Sequence, residues 1–183
     1  FRAGLFNIGT QGQMIWGALV SAVTVLFVAD FAPAGLAGTA ILLPLALVSG
    51  AVAGGIWGAI PGALKAYADA NEVITTIMLN FVATFGTTLL VSEFFQDPQS
   101  AGGTQTRMVP GNSLVPSIPF GFQGTRFSIL ALVLALVLAF VVYFVLWGTS
   151  FGFDVRTSGL QPEAATYAGV NAERTIVRSM TIS

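Results

Sequence analysis

Charge is missing from four long stretches of this chain: Ala3–Ala29, Phe31–Leu64, Val73–Ser92 and Phe127–Ser150. A helix needs about 20 residues to cross the roughly 30 Å hydrocarbon core of a bilayer, and every stretch can supply them. Leu, Ile, Phe and Val each favour insertion by roughly 0.3–0.6 kcal/mol at the helix centre. Phe127–Trp147 consists mostly of those residue types, so it should insert with several kcal/mol in hand. Packing such helices into a water-soluble core would require a large polar covering. With 8% of its residues charged, against about a quarter in a soluble domain, the chain lacks one. The fold class is all-α: a polytopic helical membrane protein with about four transmembrane helices, in a single transmembrane domain over residues 1–183.

The spans fall near Gln13–Ala29, Gly38–Ile60, Val73–Ser92 and Phe127–Trp147, joined by Asp30–Ala37, Pro61–Glu72 and Glu93–Arg126, with a tail from Gly148. Alternation puts Arg2, Lys65, Arg156, Arg174 and Arg178 on one side and Arg107 and Arg126 on the other. Basic residues collect on the cytoplasmic side, which makes the first side cytoplasmic and residues 93–126 an external loop. Pro33, Pro44 and Pro61 leave a re-entrant piece open as an alternative to one continuous second span. Asn7–Gln13 is uncharged but too polar and glycine-rich for a regular lipid-facing helix. Irregular backbone at membrane depth requires cover from protein or a watery cavity. Because it starts at Phe1 without an initiator Met and stops at Ser183, the chain is expected to be an internal piece of a longer one.

Two helix faces stand out. Gly50, Gly54, Gly58 and Gly62 recur four apart on the second span, with Ala46 a turn earlier. A face without side chains lets a neighbouring backbone come close, so helix packing is the expected use, with a substrate passage as the alternative. Thr76, Asn80, Thr84 and Thr88 form a polar stripe on the third span. They can bond across helices, bond their own helix backbone or line a wet path; Gln11, Gln13, Thr76, Asn80 and Thr84 are the candidates for such a lining. Phe127–Trp147 has no Gly, and Tyr143 and Trp147 near its end suit an interfacial anchor. It is expected to be peripheral and lipid-facing.

None of the spans holds an ionisable side chain. Charges within the membrane are usually kept for proton, ion or voltage work, so a proton-coupled carrier, an ion pump and an intramembrane hydrolase are disfavoured. The chain has no cysteine and no histidine, which excludes disulfides, thiol nucleophiles and His-based metal sites. No catalytic residue, cofactor or metal is expected. A net charge of −1 without a basic patch gives no sign of nucleic-acid binding.

The tail carries the most telling pattern. Pro162 is placed to start a helix, Glu163 suits its positive N-terminus, and Gly169 is placed to stop it. Asn171 can cap the next helix. A helix of two turns at most, set between Gly159 and Gly169, is too short to be stable alone and needs a partner surface. Residues 148–171 are therefore expected to be a cytoplasmic docking segment, with a solvated linker as the alternative.

Glu163-Ala164-Ala165 followed by Gly169 resembles the EAA…G loop through which permeases of ABC importers contact their ATPase subunits. Phe6–Gln13 with Gly17-Ala18, and Gly58–Asn80, are similar to the permease family for simple sugars and nucleosides, with branched-chain amino acid permeases as more distant relatives. Asn71-Glu72-Val73-Ile74 with Met78-Leu79-Asn80 resembles the nucleoside branch most closely. Relatives often carry Glu where this chain has Gln11.

The resemblance implies a multi-pass protein of the plasma (inner) membrane. Its implied partners are a second permease subunit, cytoplasmic ATP-binding subunits, an external solute-binding protein, and a nucleoside or sugar as substrate. It also implies that Arg156, Gly159, Glu163, Ala164, Ala165 and Gly169 couple the chain to the ATPase. No phosphate-binding GxxxxGK[ST] loop occurs in this chain, so ATP hydrolysis is assigned to a partner. An ATP-independent channel or secondary carrier for a small polar solute is the competing function; a membrane-embedded enzyme or scaffold ranks below it.

Overall fold

A computed structural model describes residues 4–33, 35–97, 105–108, 129–167 and 169–182. Helices account for almost all of them: α1 Thr10–Val28, α2 Leu36–Ala68, α3 Glu72–Leu90, α4 Ile129–Gly148, α5 Ser150–Leu160, α6 Pro162–Tyr167 and α7 Ala172–Ile182. A 3₁₀ turn, Ala29–Phe31, extends α1, and a π-helical turn, Val91–Phe95, extends α3. Among the described residues, extended pairing is limited to an antiparallel bridge between Gln96 and Thr106. Four helical segments, Thr10–Phe31, Ala37–Ala68, Glu72–Phe95 and Ala131–Gly148, are long and apolar enough to cross a membrane.

Three boundaries differ from the sequence reading. The first span begins at Thr10, not Gln13, because the glycine-rich segment is covered by protein: Gly12, Gln13 and Gly17 are buried. The second is one continuous helix that runs through Pro44 and Pro61 to Ala68, so the connection shrinks from Pro61–Glu72 to Asp69–Asn71. Proline removes one helix hydrogen bond, a loss that neighbouring elements can offset in a membrane helix. Here Pro61 is buried, on the turn where α7 packs. At 33 residues and 1.5 Å per residue, α2 is about 50 Å long and overshoots the hydrocarbon core. Third, Ser150–Leu160 in the tail is helical, and Gly159, read as a flank of the short helix, lies inside that preceding helix.

Local chemistry sets the turns. Asp69 ends α2 in the left-handed conformation (φ 47°) while Lys65 reaches it at 2.9 Å and Glu72 at 3.6 Å. Such pairs at an aqueous edge contribute about 0–1 kcal/mol. Asn71 then caps α3 by accepting from the Val73 and Ile74 amides at 3.0 and 3.2 Å. Thr149 caps α5 by accepting from the Gly152 amide at 3.1 Å, so the chain folds back directly beneath α4.

The described core centres on α2, which packs on α1 along one half and on α7 along the other. The glycine ladder makes both contacts possible. A Cβ on Gly50 would lie 3.1 Å from the Gly17 carbonyl oxygen, and one on Gly17 2.9 Å from that of Gly50. These backbones therefore cross almost in contact, and Trp16 and Trp57 pack beside the crossing with ring centroids 4.8 Å apart. Gly17→Val is expected to destabilise the helix pair by about 1–3 kcal/mol, the usual range for overpacking, measurable as a lower melting temperature in detergent. From Ala131 to Phe144, α4 is exposed along its whole length and packs chiefly on α5. That fits a peripheral helix against lipid. Of the expected external loop 93–126, residues 98–104 and 109–126 lie outside the described residues, as do Arg2, Phe127 and Ser128.

Candidate functional site

The tail forms a helix–helix–helix unit whose middle member is α6. Two hydrogen bonds close its C-terminus: the Gly169 amide donates to the Thr166 carbonyl and the Val170 amide to the Ala165 carbonyl, both at 3.0 Å. Gly169 has φ +85°, so this is the Schellman arrangement that glycine favours. Asn171 immediately caps α7, its side-chain oxygen accepting from the Arg174 amide at 2.9 Å. The stop at Gly169 and the cap at Asn171 are thus where the sequence placed them. Ala165 is fully buried on a helix that packs on α5 and α7, whereas Tyr167 and Leu160 are 95% and 87% exposed. One face of the unit is therefore locked to the protein, and the other presents bare apolar and aromatic groups.

Other expected coupling residues are dispersed. Arg156 turns back onto α4, its guanidinium 4.4 Å from the Trp147 ring and its Nε donating to the Gly152 carbonyl at 3.2 Å. Gly159 lies against the chain's beginning, since a Cβ on Gly4 would meet its carbonyl oxygen at 3.1 Å. The side chains of Glu163 and Ala164 lie outside the described ones.

α7 joins this unit to the spans. Met180 is 1% exposed and sits over the lower glycines of α2. A Cβ on Gly62 would meet the Met180 Cβ at 2.9 Å, and one on Gly58 the Met180 carbonyl oxygen at 2.5 Å. Gln13 Nε2 donates to that carbonyl at 3.2 Å in a buried setting, which ties α1 into the same joint. The sequence reading missed Met180; its signal is the apolar set Ile176, Val177 and Met180, which share one face of an amphipathic helix by their three- and four-residue spacing.

The polar stripe of α3 does two different jobs. Its hydroxyls bond their own helix: Thr76 to the Glu72 carbonyl at 2.7 Å, Thr84 to that of Asn80 at 2.9 Å, and Thr88 to that of Thr84 at 2.8 Å. Asn80 instead reaches across to the start of α1. Its Nδ2 donates to the Ile8 carbonyl at 3.0 Å, and its Oδ1 accepts from the Gly12 amide at 2.8 Å. The first amides of a helix have no partner within it, and Gly9, the residue before α1, offers no side chain. Asn80 supplies that cap from another helix, and Asn7 Oδ1 accepts from the Gly9 amide at 2.8 Å just before it. Gln11 and Thr84 remain exposed; Gln13 and Thr76 are buried. Asn80→Leu strands both backbone groups. At about 1–3 kcal/mol per unsatisfied group, a clear fall in detergent melting temperature is expected. An unchanged melt would remove Asn80 from this role.

These features define a polytopic helical membrane protein with a short capped helix held outside its spans. Family comparison makes the class specific: residues 1–183 match the family described as branched-chain amino acid transport system / permease component, and the chain belongs to it. It is 40% identical over 187 residues to a guanosine ABC transporter permease protein of Bacillus subtilis, with all of this chain and 50% of that protein covered. It is 32% identical over 193 residues to a nucleoside ABC transporter permease protein of Lactococcus lactis, with 100% and 49% covered. A glucose ABC transporter permease protein of Haloferax volcanii is 37% identical over 182 residues, with 93% and 44% covered. The chain thus spans about half the length of these relatives. No solved structure matches it.

Proposed function

We propose that this chain is part of the membrane-spanning permease subunit of an ATP-driven importer of nucleosides in the plasma membrane. The observation that carries the reading is the match of the whole chain to permeases named for guanosine and for nucleosides. In this reading a second permease subunit completes the path, separate cytoplasmic ATP-binding subunits hydrolyse ATP, and an external solute-binding protein delivers the substrate. The α6 unit is the coupling element. Its support is mechanical: a helix of 6 residues cannot hold itself together, yet this one is capped, buried at Ala165 and exposed at Tyr167. α7 then carries its displacement to α1 and α2 through Met180, a two-state lever of the kind that subunit docking can bias. Of the polar candidates, the exposed Gln11 and Thr84 are assigned to the path, while Gln13, Thr76 and Asn80 hold the helices in register.

The test is uptake. Proteoliposomes holding the full-length permease, its ATP-binding partner and its solute receptor are expected to accumulate labelled guanosine only when ATP is supplied. Accumulation to equilibrium without ATP would favour a channel or secondary carrier. The similarity to a glucose permease supports a sugar as second substrate class; ATP-driven accumulation of labelled glucose but not of labelled guanosine would make it the first.

A further inference from the structure

We propose that the outer ends of α1 and α3 form a binding cleft for the purine ring of an entering nucleoside. The proposal rests on the nucleoside-permease reading and on the orientation that puts Arg107 outside. The cleft has a volume of about 470 Å³, within the range of about 300–1,000 Å³ typical of small-molecule sites. Phe27, Phe31, Phe94 and Phe95 supply its aromatic surface, and Asp30, Gln96 and Arg107 its polar edge.

The backbone is specially shaped on both sides. α1 tightens into the 3₁₀ turn Ala29–Phe31, which carries Asp30 beside Phe31. α3 loosens into the π turn Val91–Phe95. Such a turn shifts later residues around the helix axis and is found disproportionately at functional sites. Beyond it, Gln96 bridges to Thr106 and the Asp97 amide donates to the Gln105 carbonyl at 3.1 Å, which holds Arg107 against the helix end. Asp30 and Arg107 form no ion pair among the described residues, so both charges are available to a ligand. Phe31 and Phe94 are 87% and 74% exposed, so their ring faces are open.

A purine matches this set. Its flat π surface stacks on phenyl rings. In guanine the ring N–H and amino groups donate to a carboxylate, and the carbonyl and ring nitrogen accept from a guanidinium. A hexose has hydroxyls for the polar edge but no flat ring for the phenylalanines.

The chain has no cysteine, so Phe94→Cys introduces a new thiol that can be labelled in the assembled transporter in intact cells. A membrane-impermeant maleimide added outside is expected to label it above the wild-type background. Millimolar guanosine should slow labelling at least several-fold, and glucose should not. Asp30→Asn should raise the guanosine concentration for half-protection by about ten-fold, the effect of one good polar contact to a base. Phe31→Cys serves as a second reporter should Phe94→Cys fail to assemble. Absence of external labelling, as when other parts of the transporter cover the cleft, overturns the proposal, and so does equal protection by glucose and guanosine. Guanosine uptake measured in the same cells separates the two readings. Normal ATP-driven uptake without protection rejects the cleft alone, and no uptake by the wild type rejects the nucleoside permease and the cleft with it.

Discussion

Gly62→Leu and Gly58→Leu are expected to detach α7 from α2 and to cut the yield of folded protein several-fold. The atoms a new side chain would meet cannot move aside cheaply. At position 62 they are the Met180 Cβ at 2.9 Å and the Val177 Cα at 3.2 Å; at 58 they include the Met180 carbonyl oxygen at 2.5 Å. Overpacking against such neighbours costs about 1–3 kcal/mol, occasionally more. Loss of the joint also exposes Met180 and strands the Gln13 amide. Melting of purified protein in detergent, with limited proteolysis after α6, reads both effects. Gly86→Ala is the control: its nearest neighbour is Trp16 at 3.9 Å, so wild-type behaviour is expected. If Gly62→Leu melts like Gly86→Ala, the α2–α7 joint is wrongly described.

Ala165→Asp and Gly169→Pro are expected to abolish ATP-driven uptake, at least a hundred-fold, with membrane insertion retained. Ala165 is fully buried, and an unpaired carboxylate there costs several kcal/mol, enough to push α6 off its seat. Proline at 169 fixes φ near −65° and lacks an N–H, whereas Gly169 has φ +85° and donates to the Thr166 carbonyl. Both changes lie outside the spans, so the detergent melt should move far less than for the glycine variants. Transport assays on the assembled complex give the answer. Uptake at wild-type levels in both variants would end the coupling role of α6.

What was legible in the sequence was local or compositional. Pro162, Gly169 and Asn171 announced the bounds of α6 and the start of α7 because each acts on backbone groups within a few residues. The charge-free stretches announced four spans because transfer into lipid sums over side chains, whatever their partners. α5 went unread: Ser150–Leu160 mixes small, polar and apolar residues without a clear stripe, and its helicity is supported by the Thr149 cap and by packing against α4, α6 and α7. The end of α2 was misplaced because proline is a weaker stop in a packed membrane helix than in water.

The polar stripe and the glycine ladder show the division most clearly. Periodicity put Thr76, Asn80, Thr84 and Thr88 on one face, yet only the folded chain separated threonines that serve their own helix from an asparagine that caps another. Gly50, Gly54, Gly58 and Gly62 foretold a close approach without naming the neighbour. The structure gives Gly50 and Gly54 to α1, Gly62 to α7, and Gly58 to both, against Gln13 and Met180. By itself the sequence determined which helices are long and apolar enough to cross a membrane and where α6 starts and stops, since those depend on side-chain transfer energies and on caps a few residues away. Which helix faces meet was decided by tertiary structure alone, because a bare glycine face attracts no particular partner until backbones far apart in the chain, such as Gly17 and Gly50, are brought together.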